Sequence, residues 1–459
     1  MKILLVYAPF CTPVSPPYSI TNLFSFLKNN SDHEIKVLDL NLEFHWLKFP
    51  EYGNYFRSGK WGDYENSDYE KIATRYQQLT KKVYAENNHL VVEGKQPEFF
   101  AELLEKITSE KADIIAFSLV YSSQAFYVQA LLKELQDVTT VIGGPAVNGK
   151  LAAKHVFKNE IEFLEYIEQR SIKQKSIEKR SIDHNSLKMN YPLDFSCCDG
   201  DRYFIQKVVI PLKTSTTCYW QRCTFCSHYA KVPYYQTPLE VIKKTVLLSG
   251  KKIFFLIDDM IPAKRLLELG KLFGSLGVTW GCQLRPTKEF NDDVFKKCYE
   301  GGLRMVIWGV ESGNDRVLGL IDKGTNTGDV SLVLQRSHQA GIKNVTYIMF
   351  GFPGETREEF MDTIRFLQDN AEFIDLISPS IFGLQRGTIV YDNPALFGIT
   401  QIEEEERTVL EPKVKYVSSG MSLEQVKKMK KSVQSTILSI NKYPSAMNFF
   451  REHMLSLLE

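Results

Sequence analysis

The chain has no surplus of charge. Its 56 Lys and Arg residues face 55 Asp and Glu, for a net charge of +1. Without a basic excess there is no bulk electrostatic hold on nucleic acid or on an anionic membrane, so neither is expected as a partner. Long apolar runs are also missing. The apolar start Met1–Phe10 is too short to span a bilayer and runs into Pro13, Pro16 and Pro17. A signal peptide would need a longer apolar run and a small-residue cleavage site, so a cytoplasmic location is the expectation. Cysteine is scarce, with eight in 459 residues, too few for a disulfide scaffold. Self-similarity at solenoid periods is absent. What remains is an ordinary globular composition, 44% hydrophobic and 24% charged. At ~100–200 residues per domain the length suggests two or three domains.

The hydrophobic pattern alternates strand-like and helix-like segments. Lys2–Tyr7 (KILLVY), Glu34–Leu40, Asp113–Leu119 and Thr140–Gly143 read as buried strands. Helices are expected at Ile20–Lys28, through much of 64–110, and at Gln124–Leu135. Repeated βα units imply a parallel sheet covered on both faces, with ligands beyond the carboxyl ends of its strands. Residues 149–204 contain the polar stretch SIKQKSIEKRSIDHNS and read as a linker. A second series follows, with strands at Lys207–Leu212, Lys252–Ile257, Val278–Gln283, Arg304–Trp308, Asn344–Phe350 and Phe373–Ser378. Helices fall between them, the last opening with Thr356-x-x-Glu359, a capping-box spacing. Six such repeats fit a partial β/α barrel whose active site lies at the C-terminal strand ends. The expected division is 1–148 (α/β domain), 149–204 (linker), 205–400 (barrel) and 401–459 (helical region).

Three cysteines, Cys218, Cys223 and Cys226, crowd into nine positions directly after the first barrel strand. Three such thiolates can ligate three irons of a 4Fe–4S cluster, leaving the fourth iron open. A zinc site built from the same cysteines and His228 satisfies the spacing as well. Cys11, Cys197, Cys198, Cys282 and Cys298 form no second triplet and read as small buried residues.

The stretch TSTTCYWQRCTFCSHY resembles the cluster loop of radical S-adenosylmethionine (SAM) enzymes, with an aromatic, Phe225, before the last cysteine. The family commonly spaces its first two cysteines by three residues. The gap here is four, a form found in members carrying a cobalamin-type N-terminal domain. The resemblance continues in order through Leu256-Ile-Asp-Asp-Met260, Trp280–Arg285 (WGCQLR), Trp308-Gly-Val-Glu-Ser-Gly313, Lys323-Gly324-Thr325 and Tyr347–Thr356 (YIMFGFPGET). It implies an α/β fold in which a Rossmann-like (flavodoxin-like) cobalamin-binding-type domain precedes a partial (β/α)6 radical SAM barrel and a C-terminal helical region. It further implies that the amino and carboxylate groups of SAM chelate the open iron. One electron then releases a 5′-deoxyadenosyl radical, which abstracts a substrate hydrogen.

On that basis Cys218, Cys223 and Cys226 hold the metal cluster, and Phe225, Arg285, Glu311, Ser312, Gly351, Pro353 and Gly354 contact SAM. Arg285 would fork onto the carboxylate. Glu311 and Ser312 would accept from the ammonium or the ribose hydroxyls, and the glycines would admit adenine closely. Bland alternatives stand beside these. Glu311 can pair with Lys323 or Arg285, Gly351–Gly354 can be a plain tight turn, and Asp258 and Asp259, which would otherwise orient the methionyl amine or the substrate, can be helix caps. Glu355 reads as charge in the first turn of a helix, and His228 as a residue outside the ligand set.

The N-terminal stretches MKILLVYAPFCTPVSPP, DIIAFSLVYSSQ and VIGGPAVNG resemble the cobalamin-binding domain fused to many such enzymes. Pro9, Ser118, Tyr121, Gly143, Gly144 and Pro145 are its candidate contacts. The Asp-x-His-x-x-Gly signature, whose His ligates cobalt, is absent from the sequence. Tyr121 is then a candidate to lie under the cobalt. The resemblance leads to a cobalamin-dependent methyltransferase acting on an unactivated carbon of a peptide or small natural-product substrate. An external electron donor such as flavodoxin or ferredoxin would supply the electron. The alternatives are epimerisation, rearrangement or carbon–carbon bond formation with cobalamin structural or absent, and a non-enzymatic zinc-binding interaction protein. Enzymes that methylthiolate tRNA share the GFPGET stretch but carry an N-terminal cysteine set and a basic RNA module not seen here. Arg386 and Tyr391 are further candidates to meet substrate.

Overall fold

The computed structural model describes residues 1–175, 187–227 and 232–459. Most of the polar stretch SIKQKSIEKRSIDHNS and all of His228 therefore lie outside the described residues. The chain divides into two compact units. The first comprises Met1–Val208, Glu240–Lys251 and Glu406–Glu411, and the second Val209–Leu239, Lys252–Glu405 and Pro412–Glu459.

The first unit is built on strands β1 (Lys2–Tyr7), β2 (Glu34–Asp39), β3 (Ile114–Ser118), β4 (Thr139–Gly143) and β5 (His155–Phe157). All neighbours are parallel, in the order β2-β1-β3-β4-β5. That is the flavodoxin-like winding, whose order reverses beside β1 and β3. β1 and β3 are buried along almost their whole length, which is why they read as uninterrupted apolar runs. Ile3, Leu5 and Tyr7 pack with Ile20, Phe26 and Leu27 of the helix Tyr18–Asn30 and with Phe163, Leu164 and Ile167 of the helix Glu160–Lys175. The segment 149–204 thus holds β5 and that helix, more regular structure than a linker carries. Its charged side chains mask the pattern, since only a few positions of the helix face the core.

The second unit contains β6 (Val209–Leu212), β7 (Ile253–Leu256), β8 (Thr279–Leu284), β9 (Leu303–Glu311), β10 (Lys343–Phe350) and β11 (Leu376–Ile381). These form one parallel sheet in sequential order, β11-β10-β9-β8-β7-β6, the order of a partial (β/α)6 barrel. Side chains alternate along each strand. Trp280 packs on Phe273 of the helix Ala263–Leu276, and Trp308 on Phe290 and Phe295. Gly281, Gln283 and Gly309 therefore belong to the opposite, inner face. Thr356 and Glu359 form the expected capping box at the start of the helix Arg357–Asp369.

The region after the barrel is less purely helical than expected. Strands β12 (Ile399–Glu405) and β13 (Lys413–Ser418) pair antiparallel. Glu405 pairs with Lys413 and Glu403 with Lys415 across the ladder, and Lys415 Nζ lies 2.7 Å from Glu405. The run Glu403–Glu406 gives no strand signal in sequence because the opposing lysines, Lys413 and Lys415, lie beyond the intervening turn. Three helices follow, Leu423–Ser432, Gln434–Ile440 and Arg451–Ser456.

One buried amide ties the barrel layers together. Asn344 accepts from Trp308 Nε1 at 2.8 Å and donates to the carbonyls of Leu334 (2.9 Å) and Phe373 (2.8 Å). Asn344→Leu would leave one buried donor and two acceptors unmet, each costing ~1–3 kcal/mol. A loss of about 3 kcal/mol or more is expected, measured as a lowered urea midpoint. An unchanged midpoint would show that these bonds are dispensable.

Candidate active site

The cysteine loop leaves the end of β6 and is fastened at several points. Asp258, at the end of β7, is fully buried and accepts from the Thr214 backbone N–H (2.9 Å) and Ser215 Oγ (2.6 Å). Burial raises its carboxyl above the ordinary aspartate value, although these donors oppose the shift. Asp258 is thus an anchor for the approach to the loop, and it caps no helix. Asp259 makes no comparable contact among the described residues. Further on, Trp220 Nε1 donates to the Asp322 carbonyl (2.9 Å), and Arg222 pairs with the Asp322 carboxylate (3.0 Å). Thr224 donates through its N–H to Ile321 O and through its hydroxyl to Leu320 O, both at 2.9 Å. The loop is therefore moulded on the end of the helix Asp315–Ile321.

Cys218, Cys223 and Cys226 are all half-buried and form no disulfide. The Cys226 N–H bonds the Cys223 carbonyl at 3.1 Å, a turn that brings the last two together. Burial pushes the Cys223 thiol up to about 11. Lys323 opposes that rise, while Cys218, Glu311 and Cys226 add to it. The three thiols thus lie within electrostatic reach of one another and of one buried cation. Among the described residues, no three His, Cys, Asp or Glu side chains converge on a single point. A cluster takes one thiolate per iron and needs no such convergence, and the strong positive charge of a metal centre is what draws a buried thiol into the thiolate form. The donor set fits a cluster.

Beside the thiols lies an ion pair. Lys323 Nζ is 2.8 Å from Glu311 Oε1, and both side chains are almost out of water. Burial works against the lysine charge, but Glu311, Cys223 and Cys218 outweigh it and hold the ammonium above the usual lysine range. The pair lies across the inner face of Gly309. A Cβ there would stand 2.7 Å from Lys323 Nζ and 3.0 Å from Glu311 Oε1. Glu311 has φ +67°, which turns its side chain back at the end of β9. Lys323 Nζ also stands 5.8 Å from the centre of the Phe225 ring. Of the two readings of Glu311, the pairing with Lys323 is the one the structure contains. The pairing is among the sequence expectations, but the burial of Lys323 is not, since a short Lys-Gly-Thr stretch does not disclose it.

Arg285 is buried and committed. Its Nη1 donates to the carbonyls of Lys323 (3.0 Å) and Gly324 (3.4 Å), its Nη2 to Tyr219 (3.4 Å), and its guanidinium stacks 3.6 Å from Trp220. A Cβ on Gly324, at φ +67°, would overlap both Trp220 and Arg285. Arg285 braces the cysteine loop against the Lys323 turn, and its Nε alone is buried without a partner. Ser312 is likewise buried, with its hydroxyl 3.2 Å from Thr363 Oγ1 in the helix Arg357–Asp369.

Gly351 and Gly354 both have positive φ, and the Glu355 N–H bonds the Phe352 carbonyl at 2.9 Å, so 351–355 is a tight turn. Pro353 sits within it. Glu355 departs from expectation. It is 1% exposed and folds back so that its carboxylate accepts from the Gly351 N–H at 2.5 Å. Burial pushes its carboxyl up to about 7, the Gly351 N–H opposing. Its second oxygen, Oε1, is buried without a partner. It does not act as exposed first-turn charge. Arg386 and Tyr391 both bond Glu404 of the hairpin, on the exposed side.

In the first unit the candidate residues gather at the carboxyl ends of β1, β3 and β4. Pro9 follows β1 directly. Ser118 closes β3 with its hydroxyl 3.0 Å from Ser19 Oγ, and Tyr121 is 52% exposed on the next loop. Gly143 and Gly144 end β4 before Pro145; Gly144 has φ +115°, and a Cβ there would overlap the Leu119 carbonyl. Gln124, absent from the candidates, organises the group. Its side chain accepts from Val120 N (2.7 Å) and Tyr121 N (3.0 Å) and donates to Ala8 O (2.7 Å). Cys197 and Cys198 lie here with their sulfurs 3.7 Å apart, while Cys282 and Cys298 are buried in the second unit.

Residues 213–367 match the domain model of the Radical SAM superfamily. The cofactors that go with such a domain are a 4Fe–4S cluster and SAM. Of solved structures, this chain is similar to the cobalamin-dependent SAM radical enzyme OxsB with aqua-cobalamin bound, with TM-score 0.63, 14% identity, and coverage of 95% of this chain and 67% of that one. It is also similar to the radical SAM methyltransferase TsrM from Kitasatospora setae with cobalamin and a [4Fe-4S] cluster bound, with TM-score 0.58, 12% identity, and coverage of 96% and 88%. These likenesses span both units and show the fold. In sequence, an uncharacterized methyltransferase of Pyrococcus horikoshii is 30% identical over 165 residues, 33% of this chain and 36% of that protein. A tRNA-2-methylthio-N(6)-dimethylallyladenosine synthase of Shewanella baltica is 32% identical over 111 residues, 23% of each chain. The chain thus spans about a third or less of the length of these two relatives. No helix among the described residues is long and apolar enough to cross a membrane.

The state of Glu355 gives a pH prediction. Its folded value of about 7 lies above the unfolded value of 4.5, so between them the folded state holds more protons. Stability therefore falls as pH rises from about 4.5 through 7. Glu355→Gln removes that dependence and should gain on the order of 2–3 kcal/mol over the wild type at pH 8 relative to pH 4.5. Parallel urea midpoints for both proteins across that range would refute the assignment.

Proposed function

We propose that this chain is a cobalamin-dependent radical SAM enzyme that methylates an unactivated carbon of a peptide or small natural-product substrate. The observation that carries the reading is the juxtaposition of three cysteine thiols with the buried Lys323–Glu311 pair at the carboxyl end of the barrel. A flavodoxin-like unit in the same chain supports it. When bound, the cluster, SAM and methylcobalamin would supply a 5′-deoxyadenosyl radical for hydrogen abstraction and a methyl group for the substrate carbon.

The chain's own residues would bind, orient and exclude water. Cys218, Cys223 and Cys226 would hold three irons. Lys323 would meet the SAM carboxylate and Glu311 its ammonium, each trading part of their mutual pairing for the zwitterion. Phe225 would shield the cluster, and the turn Gly351–Gly354 would admit adenine. Arg285 would act on the loop that bears the cysteines, with its Nε still available to a ligand. Pro9, Ser118, Tyr121 and the turn Gly143–Pro145, aligned by Gln124, would receive cobalamin without a histidine from the usual motif. A flavodoxin or ferredoxin would deliver the electron, and a reducing cytoplasm suits an oxygen-sensitive cluster. Methylthiolation of tRNA draws support from a short stretch only, against a near-neutral chain.

The test is anaerobic reconstitution with iron, sulfide and cobalamin, followed by SAM labelled with deuterium in its methyl group. Iron and sulfide in equal amounts, a cobalamin absorbance and transfer of label to a substrate carbon are expected, with iron lost in Cys223→Ala. Zinc without sulfide would contradict the whole reading. 5′-Deoxyadenosine without S-adenosylhomocysteine or labelled product would contradict methylation and favour epimerisation, rearrangement or carbon–carbon bond formation.

A further inference from the structure

The C-terminal segment crosses the inner face of the barrel sheet. The turn Ser445–Asn448 packs on β11, and Asn448 Nδ2 donates to the Ile377 carbonyl at 2.8 Å. The helix Arg451–Ser456 packs on β6 and β7, at the other end of the strand order. Between these, Leu455 lies against Gly281 of β8, where a Cβ would stand 3.4 Å from its methyls. The Arg451 guanidinium stands 5.5 Å from the ring of Tyr347 in β10. A six-residue helix is only about 9 Å long. It can reach β6, β7, β8 and β10 together only from the face they enclose.

Its polar side chains lie close to the ion pair. Tyr347 is the register partner of Gly309, the glycine across which Lys323 and Glu311 meet. Neighbouring strands are about 4.8 Å apart, so Arg451 reaches a position one strand from that pair. Gln283 and Tyr347 keep partial exposure although the residues flanking them in their strands are buried. Arg451 and Glu452 do the same beside the buried run His453–Ser456. Partial exposure on an inner face marks a solvated chamber. Desolvation raises the Glu452 carboxyl above the usual glutamate value, with Arg451 opposing, as expected deep in such a chamber.

We propose that Arg451 and Glu452 form the substrate-binding floor of the barrel and that they take a small zwitterion, an α-amino acid whose carboxylate meets Arg451 and whose ammonium meets Glu452. Adjacent helix residues point about 100° apart and do not face each other, so each is free to serve a different ligand group. A wall carrying one charge of each sign matches a dipolar ligand of zero net charge. A singly charged ligand that displaced the chamber's water would leave one of the two charges unmatched, which is costly. This inference rests on the radical SAM reading of the barrel and adds to it the substrate class.

The test is equilibrium dialysis of the reconstituted holoenzyme against each standard L-amino acid, with 5′-deoxyadenosine formation measured in parallel on the wild type. At least one amino acid should bind, and its N-acetyl and methyl-ester forms should not. Arg451→Gln and Glu452→Gln should each weaken binding at least tenfold, at wild-type iron content and urea midpoint, and Arg451→Lys should restore part of it. If no amino acid binds, or if the Gln variants bind as the wild type does, the proposal is overturned. Absence of 5′-deoxyadenosine would overturn the radical reading separately, since dialysis reports the floor by itself.

Discussion

An ammonium and a carboxylate kept almost out of water govern the second unit. Lys323 and Glu311 meet at 2.8 Å, and sequestering such a pair is favourable only when its geometry is held fixed. Much of the surrounding structure does the holding. Gly309 leaves the space in which the two side chains meet. Arg285 clamps the Lys323 and Gly324 carbonyls while stacking on Trp220. Asp322 receives Trp220 and Arg222 from the cysteine loop. The same bonds that place the ion pair therefore place the three thiols, and removing one partner of such a pair typically costs about 3–5 kcal/mol.

This arrangement explains why several residues that look like ligands in sequence serve as supports. Arg285 and Asp258 occupy strand ends, where ligands are expected, yet Asp258 spends its hydrogen bonds on Thr214 and Ser215 before the cysteine loop, and Arg285 spends its own on the Lys323 and Gly324 carbonyls and on Tyr219. Ser312 is turned into a helix. A site that must keep three thiols, a cation and a carboxylate in register needs rigid positioning, and buried charged groups bonded to main chain supply it. Glu355 extends the same device to the turn at the end of β10.

The fold was legible where burial is uniform. β1, β3 and β7 are apolar on both faces and announce themselves, and Thr356-x-x-Glu359 marks a helix start through a local bond. The cysteine spacing was legible for the same reason, since loop, cluster and motif are all local. What escaped depends on distant partners. β12 and β13 pair through Glu405 with Lys413 and Glu403 with Lys415, partners that stand well apart in the chain. Lys323 acquires its burial only when a helix returns it to Glu311, and Glu355 acquires its own only when Gly420 and Val426 close over the turn. Arg451 lies over a hundred positions from Tyr347, and only the sheet brings the two together. Periodicity reports which face is buried; it does not report which charged side chain will be carried inside.

The most direct measurement is the electron paramagnetic resonance spectrum of the reduced, anaerobically reconstituted protein with and without SAM, in the wild type and in Lys323→Met at matched iron content. The account predicts that SAM shifts the cluster signal in the wild type and that Lys323→Met keeps the cluster but needs at least tenfold more SAM for the same shift. An identical SAM response in both proteins would contradict the assignment of the buried ion pair as the seat of SAM.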